Sequence, residues 1–354
     1  MVRVLLPFLC LLVATASFGQ SQLLIISGGS LLDGSVFKDE IKDVYELNAD
    51  GMNKEVLFAA ATGDWNFAPL SEQLPATSTA DVEAQIKTAA SRLQPEDTLT
   101  IYLNDHGDAP TSATDAISGS VVLYGRDLSL FPPELKDTEL LQMIAQDVPE
   151  GTPVKIVAQL CYSGGLNEIA FALPNVCSAT STDFRSMGYV KTQYSHGFWA
   201  QASQGKSLLE SHFAGLLADT YNQKRGQTSS MAYVDKVLHE GPYNPSDEDR
   251  GVFGWVQRTM QLGGVWPTRG LKNPGVSLAE TDMLAEVASS QIQMEGLPDS
   301  VMPILERMIS PSEQRQTRVR LLQFLEKIRR FMSVATPEQE ETLDRLLECE
   351  AQPL

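Results

Sequence analysis

The stretch that decides the fold is Val154-Lys155-Ile156-Val157-Ala158-Gln159-Leu160-Cys161-Tyr162-Ser163-Gly164-Gly165, an apolar run that ends in one cysteine and a turn of small residues. Short apolar runs bounded by turn signals are typical of interior strands of a parallel sheet. Ligand sites in open α/β sheets lie beyond the carboxyl ends of such strands. Cys161 is therefore predicted to lie at the edge of the sheet where ligands bind and reactions are catalysed.

Predicted strands and helices alternate on both sides of this stretch. The other predicted strands are 23–26, 55–61, 98–103, 175–181 and 251–256, with weak strand character at 121–124. The predicted helices are 37–47, 81–93, 137–148 and 199–221. Such alternation implies βαβ units, a parallel sheet and right-handed crossovers. We predict a doubly wound, mostly parallel α/β sheet with helices on both faces and the first strand innermost.

The chain changes character after residue 262. Glycine and proline concentrate in 263–275, which we predict to be a linker between a catalytic domain at 20–262 and a helical C-terminal extension at 276–354. Apolar residues recur at helical spacing in the extension. Its predicted helices are 277–294, 300–309, 312–332 and 337–349.

Residues 1–19 have the pattern of a secretory signal peptide. Arg3 precedes an apolar run at 4–13, and small residues follow at Ala14, Ala16, Ser17 and Gly19. A retained N-terminal anchor is the alternative, but the short apolar run and small residues favour cleavage. The predicted product is an exported protein of the periplasm, extracellular space or secretory lumen. No later run approaches the roughly 20 apolar residues of a membrane span.

The charge balance excludes one class of partner. The 354 residues carry 27 Lys plus Arg against 45 Asp plus Glu, a net charge of -18. Such a surface repels phosphate backbones, so no nucleic-acid partner is expected.

Cleavage of the signal removes Cys10 and leaves three cysteines. An odd count leaves at least one thiol outside an intramolecular disulfide. One arrangement bridges Cys177 to Cys349. The other, which we favour from the sequence, makes Cys177 a buried strand residue and Cys349 an exposed tail thiol.

A histidine follows a second predicted strand in Ile101-Tyr102-Leu103-Asn104-Asp105-His106-Gly107-Asp108. Consecutive βαβ strands are often neighbours, which places His106 and Cys161 at one sheet edge. A cysteine nucleophile needs a basic or imidazolium partner, and a glycine amide can stabilise an oxyanion. Metal binding by His106 between two aspartates is the alternative, but no second histidine lies at ligand spacing, so neither metal nor cofactor is expected. His196, before a glycine, is a weaker competitor for the base.

These motifs resemble the caspase-like cysteine peptidases, and most closely the legumain family. His106 precedes Cys161 by 55 residues (161 minus 106), near the spacing of about 50 in that group. Cys161-Tyr162-Ser163-Gly164 stands where legumains have Cys-Glu-Ser-Gly. The resemblance covers about 22–257 and implies Cys161 as nucleophile, His106 as general acid and base, and the Gly107 and Cys161 amides as oxyanion donors. It also implies peptide-bond hydrolysis through a thioester.

The resemblance does not extend to the pocket with which legumains bind the asparagine before the cleaved bond. Legumains have basic residues near the position of Phe37, an acid where Tyr162 stands, and an Asp where Phe198 precedes Trp199. We therefore expect a more apolar or aromatic pocket, in which Asp183 is the one acid able to recognise a basic side chain. We predict that Tyr162, Phe198 and the segment 178–183 line this pocket. The predicted substrate-binding residues are Tyr162, Ser178, Thr180, Ser181, Asp183 and Phe198.

Three functions follow from these residues. The first is an exported cysteine endopeptidase acting on peptide or protein substrates. The second is a catalytically silent binding or scaffold protein of the same fold, favoured by the missing pocket charges. The third is a transpeptidase or amidase that uses the same dyad. By analogy with helical pro-segments, a further hypothesis is that the C-terminal extension covers the active site until proteolysis or low pH releases it.

Overall fold

The computed structural model of the chain describes residues 21–27, 34–47, 53–58, 78–94, 96–105, 107–108, 120–122, 134–183, 193–219, 225–238, 301–309 and 315–354. The predicted signal peptide, the strand at 251–256, the linker and the helix at 277–294 lie outside these residues. In the part described, no helix is long and apolar enough to cross a membrane.

The described chain is a mixed α/β protein. Its strands are β1 Gln22–Ser27, β2 Asn53–Phe58, β3 Leu99–Asn104, β4 Gly107–Asp108, β5 Ser120–Val122, β6 Glu134–Lys136, β7 Val154–Gln159, β8 Val176–Thr180 and β9 Gln227–Thr228. Its helices are α1 Gly34–Leu47, α2 Thr79–Ala90, α3 Asp137–Asp147, α4 Asn167–Ala172, α5 Tyr194–Ala202, α6 Leu208–Ala218, α7 Ser229–Leu238, α8 Met302–Ile309, α9 Arg315–Met332 and α10 Pro337–Glu350. A 3-10 turn, Ser163–Leu166, joins β7 to α4.

The main sheet has the order β2-β1-β3-β7-β8-β9. Its first five strands are parallel, and the short β9 is antiparallel to β8. The first strand was predicted to be innermost, which is wrong, because β1 is second from the edge and β3 and β7 are central. The strand order reverses between β1 and β3, and sheets of this kind bind ligands beside such a reversal.

Buried side chains on the two faces of the sheet face two helical layers. On one face Leu24, Ile101 and Ile156 share a core with α2, α3 and α4. On the other, Leu23, Tyr102 and Val157 share a core with α1, α5 and α6. Each of β1, β3 and β7 has six residues, and all of them are buried, as expected for strands covered on both faces.

The predicted helix 199–221 is wrong, since α5 and α6 are separate helices. Gly205 has φ 73 and breaks the first helix. Ser207 then begins α6, because its side chain accepts from the Glu210 amide and the Glu210 carboxylate accepts from the Ser207 amide.

The C-terminal helices pack on the same core as the sheet. Leu346 of α10 is buried with the first face of the sheet, and Leu354 packs against the core of the second. Residues from α8, α9 and α10 form a third cluster with Leu209, Phe213 and Val234. A separate antiparallel sheet, β4-β5-β6, follows β3 and takes in part of the weak strand predicted at 121–124.

Candidate active site

The carboxyl ends of β3 and β7 lie side by side. The two strands pair in parallel from Leu99 opposite Val154 to Asn104 opposite Gln159. Residues that follow Asn104 and Gln159 therefore leave the sheet at the same edge. The prediction that these two strands are neighbours is confirmed.

A backbone contact joins the two strand ends beyond the sheet. A Cβ atom at position 107 would lie 2.0 Å from the carbonyl oxygen of Cys161 and 2.7 Å from Cδ1 of Leu160. No side chain fits in that space, so this close approach requires glycine. Gly107 also pairs with Val121 in the small antiparallel sheet, and this pairing helps to hold the segment that follows His106. His106 itself lies outside the described residues.

Cys161 is partly exposed, and it is the one described cysteine that is not in a disulfide. Cys177 and Cys349 form a disulfide with an S–S distance of 2.08 Å. The favoured prediction of an exposed thiol at Cys349 is therefore wrong. It failed because 172 residues separate these cysteines, and that sequence separation contains no information on their distance. Among the described cysteines, thiol chemistry is thus confined to Cys161.

The backbone turns sharply after Cys161. Tyr162 has φ 56 and ψ 21, and it is the one non-glycine residue with positive φ among those described. This left-handed conformation costs a side-chain-bearing residue about 1–2 kcal/mol. Strain of this kind collects at functional sites, where the surrounding structure enforces it. We call residues 160–167 the cysteine turn.

Thr182, just beyond β8, holds the cysteine turn on both sides of Cys161. Its hydroxyl donates to the Leu160 carbonyl at 3.0 Å and accepts from the Ser163 amide at 3.1 Å. The Ser163 hydroxyl lies 2.9 Å from the Thr182 hydroxyl and accepts from the Thr182 amide at 3.1 Å. Both side chains are fully buried, so these bonds are shielded from water.

A polar network follows the same strand ends on the α1 face. The Glu40 carboxylate accepts from Nδ2 of Asn104 at 3.0 Å and from Nε2 of Gln159 at 3.1 Å. The Tyr102 hydroxyl lies 3.5 Å from Oε1 of Gln159 and 2.5 Å from Oγ of Ser195. Burial, and then the charge of Glu40, raise the pKa of Tyr102 well above its ordinary value, so the phenol stays protonated.

Sequence reasoning did not find Glu40, and it included Thr182 only in the segment 178–183 that was predicted to line the substrate pocket, with no role in holding the cysteine turn. Asn104 and Gln159 carry a weak signal, since each is a polar residue that closes an apolar strand. Glu40 has the spacing of a solvent-facing charge on an amphipathic helix, and Thr182 lies in an ordinary polar turn. Their contacts are long-range and leave no local pattern.

Most of the predicted substrate-binding residues are buried. Phe198 packs against the rings of Tyr194 and Trp199. The Ser178 hydroxyl donates to Asn167, and the Thr180 hydroxyl donates to the carbonyls of Thr182 and Gln227. Buried with them are Tyr162 and Ser181, whereas Asp183 is partly exposed. Their roles in substrate binding stay predictions.

The other histidines divide by exposure. His196 on α5 is exposed. His212 is fully buried, with Nδ1 2.8 Å from the Tyr194 hydroxyl, and burial lowers its pKa to about 3. His212 is therefore a neutral structural residue, and His239 lies outside the described residues. Within the described ranges, no group of three His, Cys, Asp or Glu side chains is placed to hold a metal ion.

Together these features define an α/β protein with a mostly parallel sheet and a partly exposed cysteine beyond a central strand. No protein-family model matches the chain, and a comparison with curated proteins finds no match.

Proposed function

We propose that this chain is an exported cysteine endopeptidase of the caspase-like type, in which Cys161 and His106 form the catalytic dyad. The observation that carries the proposal is the contact between Gly107 and the Cys161 carbonyl. It brings the residue bonded to His106 against the residue that would attack the substrate. Two strand ends 55 residues apart in sequence (161 minus 106) thus contribute to one site.

The reaction follows from these two groups. His106 takes the proton of the Cys161 thiol, and the thiolate attacks the carbonyl carbon of the scissile peptide bond. Amides at Gly107 and Cys161 would stabilise the oxyanion that forms. The C–N bond then breaks, His106 protonates the leaving amine, and a thioester remains on Cys161. Water, deprotonated by His106, hydrolyses the thioester and regenerates the thiol.

Several features support the finer assignment. The sheet order, with a reversal beside β3, suits a site at the carboxyl ends of β3 and β7. Tyr162 in the left-handed region turns the chain directly after the nucleophile. The Cys177–Cys349 disulfide agrees with export, because disulfides persist in oxidising compartments.

Peptide hydrolysis by wild type and by Cys161→Ala tests the proposal. A library varied at the residue before the cut should be cleaved by wild type and left intact by the variant. Cleavage restricted to Asn, Asp, Arg or Lys would contradict the predicted apolar pocket. A folded wild type that cleaves no peptide would favour the hypothesis of a catalytically silent binding or scaffold protein. Transfer of the acyl group to an added amine in preference to water would favour a transpeptidase.

A further inference from the structure

The last six residues, 349–354, which we call the tail, dock far from Cys161. Cys349 bonds Cys177, the second residue of β8, and Nζ of Lys155, the second residue of β7, donates to the carbonyls of Gln352 (2.7 Å) and Pro353. Lys155 precedes Cys161 by six residues (161 minus 155). At a rise of about 3.3 Å per residue, Lys155, which the tail contacts, lies about 20 Å along the strand from Cys161.

A chain of buried hydrogen bonds nevertheless connects the tail to the cysteine turn. Oγ of Ser229 donates to the Glu350 carboxylate at 2.7 Å and accepts from the Ser178 amide at 3.2 Å. Oγ of Ser178 then donates to Oδ1 of Asn167 at 2.7 Å. Asn167 closes the cysteine turn, because its backbone N–H donates to the carbonyls of Gly164 and Gly165. We call Glu350, Ser229, Ser178 and Asn167 the relay.

Each member of the relay is at most 1% exposed. A buried carboxylate is costly unless donors satisfy it, and Glu350 also accepts from the amide of Ser230 at 2.6 Å and from its hydroxyl at 2.5 Å. These donors lie at the first turn of α7, where the helix dipole favours an anion. Burial raises the pKa of Glu350 to about 7, while the bonds from Ser229 and Ser230 act in the opposite direction.

The disulfide holds two members of the relay, Glu350 and Ser178. Cys349 is bonded to Glu350 in the chain, and Cys177 is bonded to Ser178. The bridge therefore fixes the spacing between α10 and β8 beside the relay itself. The strand that carries Ser178 ends, two residues further, just before the turn in which Thr182 holds Leu160 and Ser163.

We propose that Glu350 is a positioning residue, which holds the cysteine turn through Ser229, Ser178 and Asn167, with the Cys177–Cys349 disulfide keeping Glu350 in place. The tail then supports the site from the opposite end of the sheet. This inference rests on the proposed function only in the role that it gives to Cys161.

Hydrogen exchange of the intact protein tests the relay whether or not the chain is catalytic. Glu350→Ala removes three hydrogen bonds, of which only the one from Ser229 lies on the path to the cysteine turn. Its loss should accelerate exchange of the amides at 163–167 by roughly tenfold, the size expected for one buried hydrogen bond. Exchange in α2, which lies away from the relay, should stay as in wild type. Ser178→Ala should act on the same amides, and Glu350→Gln, which keeps an acceptor oxygen for Ser229, should restore most of the protection.

Removal of the bridge by the paired changes Cys177→Ala and Cys349→Ala should also loosen 163–167. Glu348→Ala, which changes an exposed acid on the same helix, is the matched control and should leave the exchange rates as in wild type. Protection of 163–167 equal to wild type in Glu350→Ala would overturn the proposal, as would an equal acceleration in α2.

The alkylation rate of Cys161, measured against pH on the same variants, gives a second readout. The midpoint of this pH profile should shift in Glu350→Ala and return to the wild-type value in Glu350→Gln.

A wild-type Cys161 that alkylates no faster than a small-molecule thiol would contradict the proposed function alone. The exchange rates at 163–167 would still decide on the relay, so the two failures are distinguishable.

Discussion

At the scale of single residues, backbone geometry specifies the site more tightly than any side-chain pair that the structure describes. Gly107 touches the Cys161 carbonyl, Tyr162 turns the chain in the left-handed region, and Thr182 holds the residues on both sides. Each feature restricts the position of one thiol. Such restriction has a chemical use when a nucleophile must meet both a base and a substrate carbonyl.

Gly107→Ala should disrupt this arrangement. The new methyl group would overlap the Cys161 carbonyl, so either the segment after His106 or the cysteine turn must move. We expect peptide hydrolysis to fall by about a hundredfold, as for small misplacements of catalytic groups. The measurement is kcat/KM together with the unfolding midpoint in urea.

Gly151→Ala is the matched control. Position 151 has φ +83 but no atom within 4 Å of an added Cβ, so the change costs about 1 kcal/mol of strain and no overlap. Activity should stay within about twofold of wild type. Equal loss of activity in both variants would show that the Gly107 contact has no special role.

At the scale of elements, β7 links the two ends of the molecule. Its second residue, Lys155, donates to the tail. Its last residue, Gln159, lies two positions before Cys161 and donates to Glu40. Burial lowers the pKa of Lys155 to about 7, against the raising effect of Glu350. A neutral amine still has the two N–H groups that the carbonyls of Gln352 and Pro353 require.

The lowered pKa of Lys155 predicts a pH dependence of folding stability. Between pH 7 and the ordinary value of 10.5, the folded chain binds fewer protons at Lys155 than the unfolded chain does. Stability from this group therefore rises with pH across that window. Urea unfolding at about pH 7 and about pH 9 should show the rise in wild type and a smaller one in Lys155→Met. Exposed Lys136→Met should match wild type, and an unchanged slope in Lys155→Met would contradict the assignment.

The sequence predicts those elements whose cause is local. Continuous apolar runs identify β1, β3 and β7, and apolar residues at helical spacing identify α1, α2 and α3. The break between α5 and α6 was missed although Gly205 and Ser207 carry its signals, because the apolar spacing continues through them. The position of β1 was missed because strand order depends on crossovers, which leave no mark in a strand's own residues.

The residues of the candidate site also fall into those that the sequence predicts and those that it does not. The proximity of Cys161 and Gly107 could be predicted because each lies within three residues of the end of a strand, and strand ends in parallel sheets meet at one edge. Glu40, Thr182 and the relay join segments that lie far apart in the sequence. A contact between such segments depends on the packed core, so no single-sequence pattern predicts it.

At the scale of the whole molecule, the C-terminal extension is part of the folded core in its described residues. Leu343, Leu346 and Leu347 are fully buried, and each contacts a cluster that includes residues from before position 240. The tail binds at the amino-terminal ends of β7 and β8. These contacts favour a supporting role over the cover of the active site that the family resemblance suggests.

A chain that ends at Lys272 should therefore fail to fold. Three buried leucines at about 2–5 kcal/mol each and a disulfide at about 2–5 kcal/mol together amount to about 8–20 kcal/mol, which is as large as the net stability of a typical domain, about 5–15 kcal/mol. Circular dichroism and activity should both show the loss. Residues 276–354 supplied as a separate chain should restore fold and activity. A truncated chain that folds and gains activity, and that the added segment inhibits, would establish a cover instead.

The central claim is that His106 activates Cys161. The most direct test is the second-order rate of alkylation of Cys161 by iodoacetamide near neutral pH, with the modified residue identified by mass spectrometry. Wild type should react at least about tenfold faster than His106→Ala, because the histidine raises the thiolate fraction. His196→Ala, which removes the competing histidine, should react like wild type. Equal, slow rates in wild type and His106→Ala would contradict the dyad.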